Sequence, residues 1–164
     1  MISREEIIQR LVLHEGCKLK PYYCTAGYLT IGIGRNLETN PLSNAEKKVC
    51  GDYMHGITRN AAYFLLRNDI DKVEAECKEK IPFWNKLDDE RQYALLDMCF
   101  QMGIKGLKKF KKMLAAMGVG YWNKASDECL DSDYARKDSP LRANRIAKTI
   151  RTGQFDYNLR LEDI

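Results

Sequence analysis

Glu15-Gly16-Cys17-Lys18-Leu19-Lys20-Pro21-Tyr22-Tyr23-Cys24-Thr25-Ala26-Gly27-Tyr28-Leu29-Thr30-Ile31-Gly32-Ile33-Gly34 is the stretch that decides the fold. Pro21, Gly27, Gly32 and Gly34 exclude a helix through it. Tyr22, Tyr23, Tyr28, Thr30, Ile31 and Ile33 favour strands. A small antiparallel hairpin or three-stranded sheet fits. Upstream, Ser3 followed by Glu6 is a capping-box pattern. Ile7, Ile8, Leu11 and Val12 then recur at helical spacing, and Gly16 supplies the stop.

Downstream the pattern changes again. Residues 36–44 read as loop. Thr58 caps a long helix towards Pro82, with Ala62, Leu65, Leu66, Ile70 and Val73 as its apolar stripe. Asp88 or Asp89 opens another helix carrying Tyr93, Leu96 and Phe100. Gly103 and Gly106 interrupt the chain, and short helices are expected around 107–117 and 121–131. Ser139-Pro140 opens a last helix to about Thr152. The fold class expected is α+β. One domain, 1–164, holds a sheet lobe (about 15–58), a linking helix (about 59–80) and a helical lobe (about 81–164 plus the first helix, 3–14). A cleft between lobes is the natural place for a substrate.

The chain has 164 residues, 45% apolar and 30% charged, which excludes a disordered tail. No apolar run approaches the roughly 20 residues that cross a bilayer. The N-terminus has no signal-peptide core, so synthesis and first residence in a cytoplasm are expected. Net charge is +4, with a balance of −1 over residues 1–100 and +5 over 101–164. Lys105, Lys108, Lys109, Lys111 and Lys112 crowd together, which suits an anionic partner or a solvated helix face. Six cysteines at 17, 24, 50, 77, 99 and 129 show no zinc-knuckle spacing. Reduced core thiols are the default, but Cys24 sits in a polar turn.

Glu15 continues the apolar stripe at the end of the first helix. Both the helix macrodipole and desolvation there favour a protonated carboxyl, as a general acid requires. A salt-bridged glutamate suits the same position, and helix position alone favours it. Strand alternation puts Ile31 and Ile33 on one face. Thr30, Gly32 and Gly34 on the other leave space for a bulky ligand, a bulge or close helix packing.

The spacing Glu15, eight residues, Cys24, five residues, Thr30 resembles the catalytic segment of phage-type lysozymes, glycoside hydrolase family 24. The resemblance continues in Phe100-Gln101-Met102-Gly103, in Ser139-Pro140-Leu141-Arg142-Ala143-Asn144-Arg145 and in Arg151-Thr152-Gly153. It implies an endolysin that cleaves the β-1,4 bond between N-acetylmuramic acid and N-acetylglucosamine in bacterial peptidoglycan. Glu15 would protonate the leaving oxygen, Cys24 would occupy the second catalytic position, and Thr30 would help hold the attacking water. Phe100 and Gln101 would line the saccharide cleft, with Asn36, Met113 and Glu128 at further cleft positions. Arg142 matches a residue that pairs with the catalytic glutamate.

This sequence departs from the family pattern in three places. Cys24 stands where Asp is commoner, Arg35 replaces a histidine, and Asn36, Met113 and Glu128 are unlike the usual side chains. By the resemblance Asp69 stands where that histidine's partner would be, which implies an Arg35–Asp69 pair across the lobes. No metal or cofactor is implied, nor a nucleic-acid partner or stable membrane association; a monomer is expected. The family also implies a wait in the host cytoplasm until a holin opens the way to the wall. Two rival readings stand beside this one. One is a cysteine hydrolase with Cys24 as nucleophile and His14 or His55 as base. The other is a basic nucleic-acid module using Lys105–Lys112.

Overall fold

The structure, a computed structural model, describes residues 2–164. It is an α+β fold of seven α-helices and one three-stranded sheet among those residues. The chain folds as two compact units, Ser3–Lys72 and, together with Ile2, Val73–Ile164. The division falls inside the long helix. The first helix belongs to the same unit as the sheet, whereas the sequence pattern groups it with the helical lobe.

In the sheet unit, α1 (Arg4–Glu15) starts where the Ser3 side chain accepts a hydrogen bond from the Glu6 amide. It ends at Gly16, whose φ of 69° is open to glycine at little cost. Ile7 and Leu11 are completely buried along its inner face. β1 (Lys18–Tyr23), β2 (Leu29–Gly32) and β3 (Arg35–Asn36) form an antiparallel sheet in the order of the sequence. A register shift interrupts β1 between Lys18 and Tyr22. Residues 43–50, partly read as loop, contain α2 (Asn44–Cys50). Ser43 and Glu46 close a full capping box there, the S-x-x-E signature that marks its start. Thr58 caps α3 (Arg59–Lys80), accepting from the Ala61 amide.

In the helical unit, Asp88 caps α4 (Asp89–Lys108) through the Arg91 amide. Gly103 kinks it at φ 75°, while Gly106 stays helical. α5 (Lys111–Gly118), α6 (Trp122–Leu130) and α7 (Pro140–Thr152) follow, with a single π turn, Tyr134–Asp138, before α7. α6 packs on α5 and α7, and α7 also on α4. Their shared core includes Leu96, Met117, Cys129, Ile146 and Ile150. No helix among the described residues is long and apolar enough to cross a membrane.

Candidate active site

Glu15 ends α1 half-buried, and the sheet turn beneath it explains its seat. Gly34 has φ 70°, and a Cβ placed there would lie 2.9 Å from both Cδ and Oε2 of Glu15. The carboxyl group therefore occupies the space an L side chain would fill. Only glycine gives both the left-handed backbone and the room. Gly32, at φ 67°, plays a parallel part: its missing side chain is replaced by Ala62 of α3, whose Cβ is 3.4 Å from that position. The ligand space expected along this face is thus filled by helix packing at Gly32 and by Glu15 at Gly34.

The sheet register lines up the neighbours. Tyr22 on β1 pairs with Thr30 on β2, and Thr30 pairs with Asn36 on β3. Directly paired residues in antiparallel strands share a face, so these three form one row across the sheet. Burial raises the pKa of the Tyr22 hydroxyl, and the negative charges of Glu15 and Cys24 raise it further. Tyr22 is thus in electrostatic reach of both. In the sequence it stands out only as a strand former; its pairing with Thr30 is the sign of its place.

Cys24 lies in the turn between β1 and β2, its amide bonded to the Tyr28 carbonyl. Burial pushes its thiol up, but hydrogen bonds from the Tyr28, Ala26 and Gly27 backbone and from the Thr30 hydroxyl outweigh this, and the net shift is downward. The other shifted thiols move the opposite way. Cys77 is raised by its hydrogen bond to Cys99 and by burial, Cys50 chiefly by burial, and burial pushes Cys129 up to about 12. Hydrogen bonds to a thiolate favour the nucleophilic and basic form. The sequence suggests a thiol raised by a neighbouring Glu15 anion; the amides of the turn reverse that sign.

Thr30 is 4% exposed, and its hydroxyl donates to the Tyr28 carbonyl at 2.9 Å. A hydroxyl has one proton, so the Tyr28 carbonyl and the Cys24 thiolate compete for it. The Asn36 side-chain oxygen accepts from the amides of Glu38 and Thr39, which fixes the loop after β3. His55, at 2.7 Å from Asp52, is half of a highly exposed surface pair.

The remaining candidates lie in the helical unit. Phe100 and Gln101 are half-buried on α4, and Glu128 is half-buried on α6. Gln101 Nε2 donates to Ser139 Oγ at 2.7 Å, so the Ser139 hydroxyl serves Gln101 and makes no cap bond to α7. Gln101 Oε1 is buried with no hydrogen-bond partner among the described residues. Arg142 is 8% exposed, and its Nε donates to Asp97 Oδ1 at 2.7 Å. Asp97, fully buried, also accepts from the Tyr93 hydroxyl at 2.7 Å. Met113 is a correction: at 1% exposure it is a core residue of α5, because the inner face of that short helix needs an apolar side chain there. It presents no surface to a saccharide.

The sheet unit also holds a buried ion network. Arg35 grips Glu46 with both terminal nitrogens, at 2.9 and 2.7 Å, and its Nη1 lies 3.0 Å from Asp69. The pair expected to bridge two lobes is therefore internal to one unit, buried, and includes a third member. Burial works against the Glu46 anion, but Arg35, the Ser43 amide and Asn68 hold its pKa at about 2. One cation does not neutralise two carboxylates. Burial therefore prevails at Asp69 and raises it to about 6, against the opposing pull of Arg35. Among the described residues no three His, Cys, Asp or Glu side chains converge to hold a metal ion.

Residues 12–147 match the Phage lysozyme family model. The chain is 34% identical over 168 aligned positions to the pre-baseplate central spike protein Gp5 of Enterobacteria phage T4, covering 94% of this chain but 28% of that protein. It is 31% identical to probable T4-type lysozyme 2 of Dictyostelium discoideum, covering 85% of this chain and 89% of the relative. With probable T4-type lysozyme 1 of the same organism the identity is 34%, over 87% and 91%. This chain thus spans less than a third of the spike protein and nearly the full length of the two lysozymes. With its family model matched over most of its length, the chain belongs to the phage lysozyme family, and with it to the lysozyme class of glycoside hydrolases.

Proposed function

We propose that the chain is a muramidase, hydrolysing the β-1,4 bond between N-acetylmuramic acid and N-acetylglucosamine in bacterial peptidoglycan. The observation that carries this reading is the Glu15 carboxyl held over Gly34, in electrostatic reach of the row that includes Thr30. Glu15 acts as general acid, protonating the glycosidic oxygen as its bond to the anomeric carbon breaks. Cys24, in its thiolate form, takes a proton from the water that attacks that carbon. A thiol of ordinary pKa is mostly protonated at pH 7, so the hydrogen bonds of residues 26–28 supply what an aspartate at this position would not need. Thr30, nearly buried, acts through Cys24 by favouring its ionised form and is a positioning residue.

On this reading Phe100, Gln101, Asn36 and Glu128 are substrate contacts. The protein works as a monomer on peptidoglycan, without nucleic acid and without stable membrane association. In a phage setting it waits in the host cytoplasm until a holin admits it to the wall.

The test is product chemistry. Purified protein should clear outer-membrane-permeabilised bacteria and release reducing sugar ends. New amino termini without reducing ends would replace the reading with a peptidase or amidase. Proton NMR of a cleaved oligosaccharide should show an inverted anomer if Cys24 is the base. A retained anomer would make Cys24 the covalent nucleophile. Cys24→Asp should keep activity and Cys24→Ala should lose most of it.

A further inference from the structure

The helical unit carries an open surface depression between the start of α6 and the end of α7. Its volume is about 310 Å³, near the lower end for small-ligand pockets. Tyr121, Trp122, Lys124 and Arg151 are among its lining residues. Tyr121 is 64% exposed, so its ring is open to solvent. Lys124 and Arg151 are exposed and make no ion pair or hydrogen bond through their side chains among the described residues.

The walls are preorganised by one side chain. The Arg91 guanidinium lies 3.9 Å from the ring centre of Trp122. The same group donates to the Ile150 carbonyl at 2.7 Å, to the Arg151 carbonyl at 3.2 Å and to Asp88 at 2.8 Å. It thereby ties the Trp122 ring of α6 to the backbone end of α7. Gly153, at φ 75°, leaves room for it: a Cβ there would be 3.2 Å from Arg91 Nη1. The depression thus combines an exposed aromatic ring, a fixed tryptophan and two exposed cations. An aromatic face takes the C–H face of a pyranose, and paired cations take a carboxylate.

We propose that this depression binds a muramyl peptide of the cell wall: a pyranose ring stacked on Tyr121 beside Trp122, with a carboxylate of the peptide stem between Lys124 and Arg151. The proposal rests on the muramidase reading for its ligand, since peptidoglycan carries a carboxylate-bearing stem on each muramyl unit. It adds a non-catalytic hold on the same polymer. Such a hold raises the residence of the enzyme on an insoluble wall and leaves cleavage of short soluble chains untouched.

Tryptophan fluorescence reads the site directly, because Trp84 is 2% exposed and Trp122 lines the depression. Muramyl dipeptide is the probe; it has no glycosidic bond to cleave, so binding is read apart from catalysis. A saturable change with the full-length protein is expected, with none from chitobiose or inorganic phosphate at the same concentration. Lys124→Gln and Arg151→Gln should each weaken binding about tenfold, the loss of one charge-assisted hydrogen bond. Tyr121→Ala should weaken it as well, and all three should keep the parent rate on soluble oligosaccharide while binding insoluble walls less. The proposal is overturned by no saturable change, by an equal response to chitobiose or phosphate, by competition from single-stranded DNA, or by variants that bind like the parent. Loss of muramidase activity with muramyl dipeptide binding intact would strike the catalytic reading instead.

Discussion

Strand β2 has two turns, one at each end, and they are built in opposite ways. The turn before it, residues 24–28, is mostly exposed and held by backbone hydrogen bonds. The turn after it, residues 33–34, is packed under Glu15 and runs directly into Arg35, which anchors the buried network with Glu46 and Asp69. Gly27 has φ 87° with nothing within 4 Å of where a Cβ would stand, whereas Gly34 has Glu15 at 2.9 Å. On the proposed function the proton donor sits at the packed end, where its position is most constrained. The thiol needs amide donors more than it needs rigidity, and an exposed turn offers them. One strand thus has a packed carboxyl at one end and, at the other, a thiol lowered by hydrogen bonds.

The comparison breaks most visibly at its anchor. Arg35→Met should cost about 3–5 kcal/mol of stability, because it strands two buried carboxylates. Urea unfolding checks this, and a cost under about 1 kcal/mol would mean the network does not support the turn.

Next comes Gly34→Ala, which meets the left-handed backbone penalty and displaces the Glu15 carboxyl. It should lower wall lysis about a hundredfold while costing about 1–3 kcal/mol in stability. Gly27→Ala sharpens the contrast: the same backbone penalty of about 1 kcal/mol, with lysis within a few fold of the parent. Equal activity losses in the two variants would erase the distinction between the turns.

The most diagnostic effect is in pH. Folded Asp69 keeps its proton up to about pH 6, and the unfolded chain only to near 3.8. Between those values the folded state holds the extra proton, so stability rises as pH falls from about 6 towards 4. Glu46, at about 2 when folded against 4.5 otherwise, runs the other way. Its contribution is complete above about pH 4.5 and is lost as pH falls towards 2. The unfolding midpoint should therefore peak near pH 4–5, with each limb worth on the order of 2–3 kcal/mol. Asp69→Asn should flatten the limb above pH 4 and leave the acid limb in place.

Much of this architecture is legible in the sequence. Ser3, Thr58 and Asp88 are cap residues whose side chains bond where their patterns place them. The sheet follows from glycine and β-branched residues between Gly16 and Asn36. What escapes the sequence is tertiary. α2 hides although Ser43 and Glu46 spell a capping box, because its Pro- and Asn-rich approach reads as loop. Arg35 and Asp69 pair in sequence terms, but Glu46 joins them only once α2 folds back. Met113 enters the cleft by resemblance alone, and local pattern does not report how deeply a helix face is buried. The downward shift at Cys24 depends on three backbone hydrogen bonds of one turn and on the Thr30 hydroxyl, which no composition reveals.

The rate of Glu15→Gln on permeabilised cells tests the central claim most directly. The swap keeps the shape of the side chain over Gly34 and removes its proton-donating acid. With the folded state intact by urea unfolding, lysis should fall by a factor of about a thousand or more, the usual upper range for loss of acid–base catalysis. Lysis within about tenfold of the parent would contradict the account, since an amide does not do the work of a carboxylic acid.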